Sequence, residues 1–170
     1  MSIKKRKFLS KSEAKELFKK LNSLGISFKF TINDKIEELE LENGDKIFLI
    51  NSTPLFCMVD NIIIPTLFSK SKSELPFAVV DEGAVPHILN GADVMAPGII
   101  SFPSNISEKS IILIKSPKGE SIAIGEVLEE PYKKLNNKKG KVIKNLHYKN
   151  DKIYVLCINL IRNLLSESKK

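Results

Sequence analysis

Residues 79–102, VVDEGAVPHILNGADVMAPGIISF, constrain this chain more than any other stretch. Gly83, Gly91 and Gly98 punctuate a short apolar segment, Val85–Leu89, with a strand-like run on each side. Phe77-Ala78-Val79-Val80 ahead of it reads as a compact apolar strand. Asp81 is placed to cap a helix, its carboxylate accepting first-turn amide hydrogens. Pro86 lacks that hydrogen and must lie within the first turn, which starts the helix at Gly83. Gly91 falls where a helix C-terminus needs positive φ. Met95-Ala96-Pro97-Gly98 then brings nearly bare backbone to the surface, which suits close approach by a ligand. No nucleophile or metal-binding spacing accompanies it. The stretch reads as a binding surface.

The rest of the chain supports two domains. Ser10 and Glu13 form a capping box, and Ala14, Leu17, Phe18, Leu21 and Leu24 recur at helical spacing up to Gly25, predicting a helix over 11–24. Ile26, Phe28, Phe30 and Ile32 alternate as a half-buried strand does. Leu39 and Leu41 continue a weaker alternation to Asn43-Gly44, a hairpin signal, and Ile47–Ile50 leads out of it. Leu55–Val59 and Ile62–Ile64 are further short strands, and Pro65–Phe68 suggests a helical turn. The small polar run 69–74 marks a boundary. Beyond it the pattern is mostly β, with strands expected at 77–80, 93–95, 98–102, 111–115, 120–128, 141–146 and 152–158, as in a small barrel. A helical turn can start at Glu129–Tyr132. The expected organisation is an N-terminal domain over 1–74, a second over 75–158 and a tail over 159–170, read as strand followed by a frayed helical end.

Charge is clustered. With 27 Lys and Arg against 20 Asp and Glu, the formal net charge is +7. Residues 133–152 carry eight lysines against Asp151 alone, and residues 1–20 carry seven lysines and one arginine against Glu13 and Glu16. Residues 32–45 hold six acids against Lys35. Single lysines solvate loops, but two such clusters favour a polyanionic partner. Neither shows the aromatic-rich face of an interfacial helix, so nucleic acid outranks membrane. No run of 18 apolar residues suggests a transmembrane helix, and the basic start lacks an apolar h-region behind it; cytoplasmic localisation is the expectation. Cys57 and Cys157 lie in apolar runs and read as buried small hydrophobes. Two cysteines and two histidines without pairwise ligand spacing argue against a zinc site. No metal or other cofactor is expected.

Three segments carry a family resemblance. The first is Val80–Ala84 through Asn90–Ile99. The second is Ser121-Ile122-Ala123-Ile124-Gly125-Glu126-Val127. The third is Lys139–Asp151, with its His147-Tyr148-Lys149-Asn150-Asp151 element. Together they resemble a PUA domain, the RNA-binding module of pseudouridine synthases and archaeosine transglycosylases, over about half the chain. The His-Tyr-x-Asn-Asp element and Ile64-Pro65-Thr66-Leu67 are similar to the malignant T-cell-amplified proteins and the N-terminal half of ligatin, translation initiation factor 2D. Pro86 and His87 depart from the family pattern, and the N-terminal domain matches poorly outside Asn43–Leu67. The resemblance implies an α+β fold, with a small N-terminal α+β domain followed by a C-terminal PUA β-barrel. It implies binding to the small ribosomal subunit and the 3′ end of tRNA in initiation, re-initiation or recycling, and it places an RNA groove between the helix, the strand after it and the last hairpin.

Candidate RNA contacts are therefore Gly83, Ala84, His87, Asn90, Gly91, Ala92, Met95, Ala96, Pro97 and Gly98, with Lys139, Lys141, Lys144, His147 and Tyr148 on the closing hairpin. The three glycines serve cap and turn geometry on one reading and keep a groove bare on the other, so that backbone amides of the helix N-terminus reach phosphate or ribose. Lys139 and Lys141, two apart on an expected strand, share one face. His147 and Tyr148 are either a packed pair or platforms for a splayed base. Asp81, Glu82 and Asp93 read as caps, since no His or Ser stands in a matching arrangement for catalysis. The expected function is a non-enzymatic RNA-binding protein of the translation machinery, with rRNA or tRNA and the small subunit as partners, and residues 1–74 as a surface for a protein partner. The alternatives are an accessory subunit of an RNA-modifying enzyme and a ribosome-assembly factor.

Overall fold

The computed structural model describes residues 2–170, which form two compact units. The first comprises the chain up to Lys72 together with Lys152–Lys170; the second is Ser73–Asp151.

The first unit is an antiparallel sheet with a helix packed on it. Strand β1 (Ile3–Phe8) is followed by α1 (Lys11–Asn22), then β2 (Ile36–Leu41), β3 (Lys46–Ile50), β4 (Thr53–Val59) and β5 (Ile62–Pro65), in spatial order β1-β2-β3-β4-β5. The capping box forms as expected: Glu13 N–H donates to Ser10 Oγ at 3.2 Å, and Ser10 N–H to Glu13 Oε2 at 2.9 Å. Helix α1 ends at Asn22, two residues short of the expected end, and the chain turns through Gly25 at φ +66°. The hairpin at Asn43-Gly44 is present, with Gly44 at φ +90°.

One element was not foreseen and one differs from expectation. The basic N-terminal run, for which no element was expected, is a strand. Paired antiparallel to β2, it sets Lys4 3.2 Å from Glu40 and Arg6 Nη2 3.2 Å from Glu37. The acidic segment is therefore the electrostatic partner of the basic one. Residues 26–32 alternate in burial but pair with no strand; Phe28 and Phe30 instead stack with Phe18 and, through Phe30, with Phe56, at centroid separations of 4.8–5.8 Å. Alternation reports which side chains are buried, and here ring packing rather than a hydrogen-bonded ladder supplies the burial.

The second unit is a six-stranded barrel-like sheet. Its elements are β6 (Phe77–Val80), α2 (Val85–Ile88), β7 (Val94–Met95), β8 (Ile99–Ser101), β9 (Ile111–Lys115), β10 (Ser121–Val127), α3 (Pro131–Asn137) and β11 (Lys141–Tyr148). The order is β7-β11-β10-β9-β6-β8, with β6 and β9 parallel and the other pairs antiparallel. A single tight turn, Ala96–Gly98, joins β7 to β8. The core holds Val80, Ile88, Val94, Ile112, Ile114, Ile122 and Val142. Gly125 lies at a bulge in the β10–β11 pairing, where the register steps from Ile124↔His147 to Gly125↔Asn145. A β-carbon there would meet Lys144 O at 2.3 Å.

The segment expected as a strand over 152–158 with a frayed tail is one helix, α4 (Lys152–Glu167). It belongs to the first unit, so the boundary expected after 158 falls at Asp151 and residues 159–170 are no separate tail. Ile153 and Cys157 are its buried residues, four apart as helical spacing requires. Tyr154 stacks on Phe68 at 4.7 Å between centroids. β-Branched residues and an apolar run suggested strand, but packing of one helical face outweighs such local preference. Cys57 and Cys157 form no disulfide and are fully buried, as expected.

Two stability tests follow from these contacts. Gly125→Ala must displace backbone and is expected to cost about 2–3 kcal/mol, read by urea denaturation; a loss of under about 0.5 kcal/mol would show that the bulge yields freely. Glu13, bonded by the Lys7 ammonium and by Ser10 N–H, is held down at about 2 from an ordinary 4.5. Its folded value is depressed, so its contribution is present above the ordinary carboxylate range and is lost as pH falls toward about 2. Glu13→Gln should therefore flatten the fall in Tm on that acid limb, and an unchanged slope would contradict the assignment.

Candidate nucleic-acid interface

The loop between β6 and β7 is built by short-range constraints. Asp81 Oδ1 accepts Ala84 N–H at 2.8 Å, closing a turn before α2, while Asp81 N–H donates to Gly98 O at 2.9 Å. Helix α2 is one turn, starting at Val85 rather than Gly83, with Pro86 inside that turn as its chemistry demands. Gly91 takes φ +93°, and Ala92 N–H returns to His87 O at 3.0 Å, closing the helix end. Gly83 and Gly98 do not have positive φ. At Gly98 the limit is space, since a β-carbon would stand 3.0 Å from Ala84 Cβ; at Gly83 the nearest atom would be 3.5 Å away.

The loop is tied to β11 by Asn145, whose Nδ2 donates to Ile88 O and Ala92 O, both at 3.0 Å. Asp93 completes the tie. Its Oδ1 accepts Asn145 N–H at 2.9 Å and its Oδ2 stands 3.2 Å from Lys141 Nζ. Asn145 was not among the expected site residues. Its signal was an amide-bearing side chain in a strand facing a loop rich in orphan carbonyls, legible only once the register is known.

These elements enclose a groove of about 470 Å³ between α2, β7 and the Ala96–Gly98 turn. Gly83, Ala84, His87, Ala92, Met95, Pro97 and Gly98 of the expected residues line it, together with Asp81, Ile88, Asp93 and Val94. Asn90 is exposed beside it, Gly91 is the turn that closes α2, and Ala96 is 4 % exposed, a core residue.

The hairpin residues fare differently. His147 is fully buried, with Nδ1 2.8 Å from Asp151 Oδ2, an oxygen that also accepts Tyr148 N–H. It cannot stack on a base. Tyr148 is half-buried with its ring against Gly91, where an added β-carbon would meet the hydroxyl at 3.1 Å, so it braces the loop. Lys139 lies in the turn before β11, so Lys139 and Lys141 do not alternate on one strand. Lys144 is half-buried opposite Glu126. Lys141 and Lys139 are exposed, as are Lys133 and Lys138 of α3 and its C-terminal cap. The amide hydrogens at the start of α2 do not offer a phosphate site either: the helix has one turn, and Ala84 N–H is already taken by Asp81.

The PUA domain family matches residues 76–149, and a domain of unknown function (DUF1947) matches residues 5–72. An uncharacterized protein of Methanocaldococcus jannaschii is 36% identical over 158 residues, covering 91% of this chain and 98% of its own length. Malignant T-cell-amplified sequence 1 of Rattus norvegicus is 31% identical, over 71% of this chain and 70% of its own. The chain belongs to this PUA-domain family. Translation machinery-associated protein 20 of Saccharomyces cerevisiae is similar too, at 28% identity over 71% of each chain. The crystal structure of a hypothetical protein from Pyrococcus horikoshii superposes with a TM-score of 0.72 at 30% identity, covering 90% of this chain and 99% of that one.

Gly83, exposed and open, is the position where added charge tests the groove without disturbing the fold. Gly83→Glu is expected to keep the wild-type Tm within about 2 °C, because nothing is displaced and φ is ordinary. RNA affinity should fall at least about tenfold, a modest repulsion of 1.4 kcal/mol. Normal binding by a well-folded variant would move the site elsewhere.

Proposed function

We propose that this chain is a non-enzymatic RNA-binding protein of the translation machinery that contacts the small ribosomal subunit and the unpaired 3′ end of tRNA during initiation, re-initiation or recycling. One observation carries the reading: a small, mostly apolar groove opens beside exposed lysines on a PUA unit. A duplex cannot lie along so short a loop, whereas one or two splayed nucleotides can enter it. Lys133, Lys138, Lys139 and Lys141 stand ready for the following phosphates. The similarity to proteins named for the translation machinery supports the choice of system. The lysine-rich strand of the first unit contributes less, because β2 glutamates pair with its Lys4 and Arg6. That leaves the first unit as a surface for a protein partner, and a cytoplasmic site of action accords with the whole. Among the described residues no helix is long and apolar enough to cross a membrane, and no cluster of His, Cys, Asp and Glu could hold a metal ion.

Affinity for single-stranded RNA should fall with salt at a log–log slope of roughly −2 to −4, for about three to five neutralised phosphates at about −0.7 each. Intact tRNA should outcompete the same tRNA trimmed of its unpaired 3′ nucleotides. Equal affinity for both would leave only general backbone binding. Co-sedimentation with mature small subunits is the expected distribution; pre-ribosomal particles or a stable complex with a modifying enzyme would replace the translation reading by assembly or by RNA modification.

A further inference from the structure

The groove and its rim carry opposite charge. Asp81, Asp93 and His87 line the groove, where the remaining walls are small or apolar, Ala84, Ile88, Val94 and Pro97 among them. No lysine lines it. A phosphate entering it would meet two carboxylates; a base edge carrying N–H donors would meet two acceptors. Both carboxylates are held in place. Asp81 is fixed by Ala84 N–H, and Asp93 by Asn145 N–H on one oxygen and the Lys141 ammonium on the other. An ionised carboxylate has about four acceptor sites, so these contacts leave sites open on both. The Asp93 side chain is 26% exposed, so it is reachable from the groove.

We propose that this groove is a nucleobase pocket that selects a base bearing an exocyclic amino group, with Asp93 as the specificity-determining residue and the sugar–phosphate chain left outside on the lysines. Given the RNA-binding role proposed above, on which it rests, the division of labour is chemical. The apolar walls cover the base face, as they do in small-molecule sites of about 300–1,000 Å³. The carboxylate accepts the amino hydrogen in a charge-assisted bond, stronger than a neutral one. Lys141, paired to Asp93 yet 62% exposed, holds positive charge at the pocket mouth, where the adjoining phosphate must pass. Adenine, cytosine and guanine carry the amino group; uracil and unsubstituted purine do not.

The deciding experiment uses the full chain and two RNA strands, hexauridylate extended at its 3′ end by adenosine or by purine riboside, which differ only in the amino group. The wild-type protein should bind the adenosine strand about tenfold more tightly, as a hydrogen bond to a charged group implies. Asp93→Asn should bring the two strands within about twofold without weakening the purine strand, because one negative charge has left the groove. A purely structural role for Asp93 would instead weaken both strands alike, and that result would overturn the assignment. Equal, salt-sensitive binding of both strands by wild type would overturn base selection while leaving RNA binding intact. Binding of neither strand at low salt would overturn both. The wild-type comparison decides even if Asp93→Asn fails to fold.

Discussion

The second unit depends on a geometric constraint at the Ala96–Gly98 turn. Strands β7 and β8 are the two edges of the six-stranded sheet, yet only three residues separate them. The chain from Met95 to Ile99 spans at most about 14 Å, whereas five strand spacings in a flat sheet span about 24 Å. The sheet therefore curls, bringing the ends of its two edge strands within the shorter distance. Asp81 N–H to Gly98 O and Ala96 N–H to Gly140 O pin the turn to its neighbours. The small residues around the groove are a consequence of this closure. Gly98 is small because Ala84 lies against it, and Ala96 because it is in the core. The groove is what remains outside when backbone, rather than side chains, makes the seam.

Charge in the chain is sorted by pairing rather than by number. Two basic clusters of similar size in the sequence play different parts. Within the first, the four basic residues of β1 lie against β2, where Glu37 is 7% exposed and pairs with Arg6, while Lys11, Lys15, Lys19 and Lys20 are exposed on α1. The second surrounds a short helix and a turn, and its acidic neighbours include Glu130, 3.7 Å from Lys133, Asp93 near Lys141 and Glu120 paired with Lys149. Solvent-exposed pairs of this kind contribute little to stability, which leaves their field available to an approaching anion.

Most strands of the second unit were legible because each is a short apolar run bounded by a proline, glycine or asparagine turn. The positive φ of Gly91 and the capping box at Ser10 were legible because local chemistry alone decides them. What local chemistry does not decide was missed. Residues 26–32 show strand periodicity, but a ladder needs a partner strand, and the aromatic rings found one another instead. Helix α4 looks like strand in composition, and only its packing face says otherwise. His147 and Tyr148 look alike as candidate platforms; the register puts one wholly inside, bonded to Asp151, and sets the other against Gly91. Asn145 and Asp93 lie 52 residues apart in the chain and acquire their meaning only from the β7–β11 pairing.

Helix α4 has a consequence for the order of events during synthesis. The first unit is assembled from both ends of the chain, with the second unit intervening. A ribosome releases the N-terminal strands first, then everything needed for the barrel, and only last the residues that include Ile153 and Cys157. The barrel can close while the earlier-made sheet still waits for its helix, leaving uncovered in the meantime the part of β4 against which α4 later packs. The part made first is thus the part finished last.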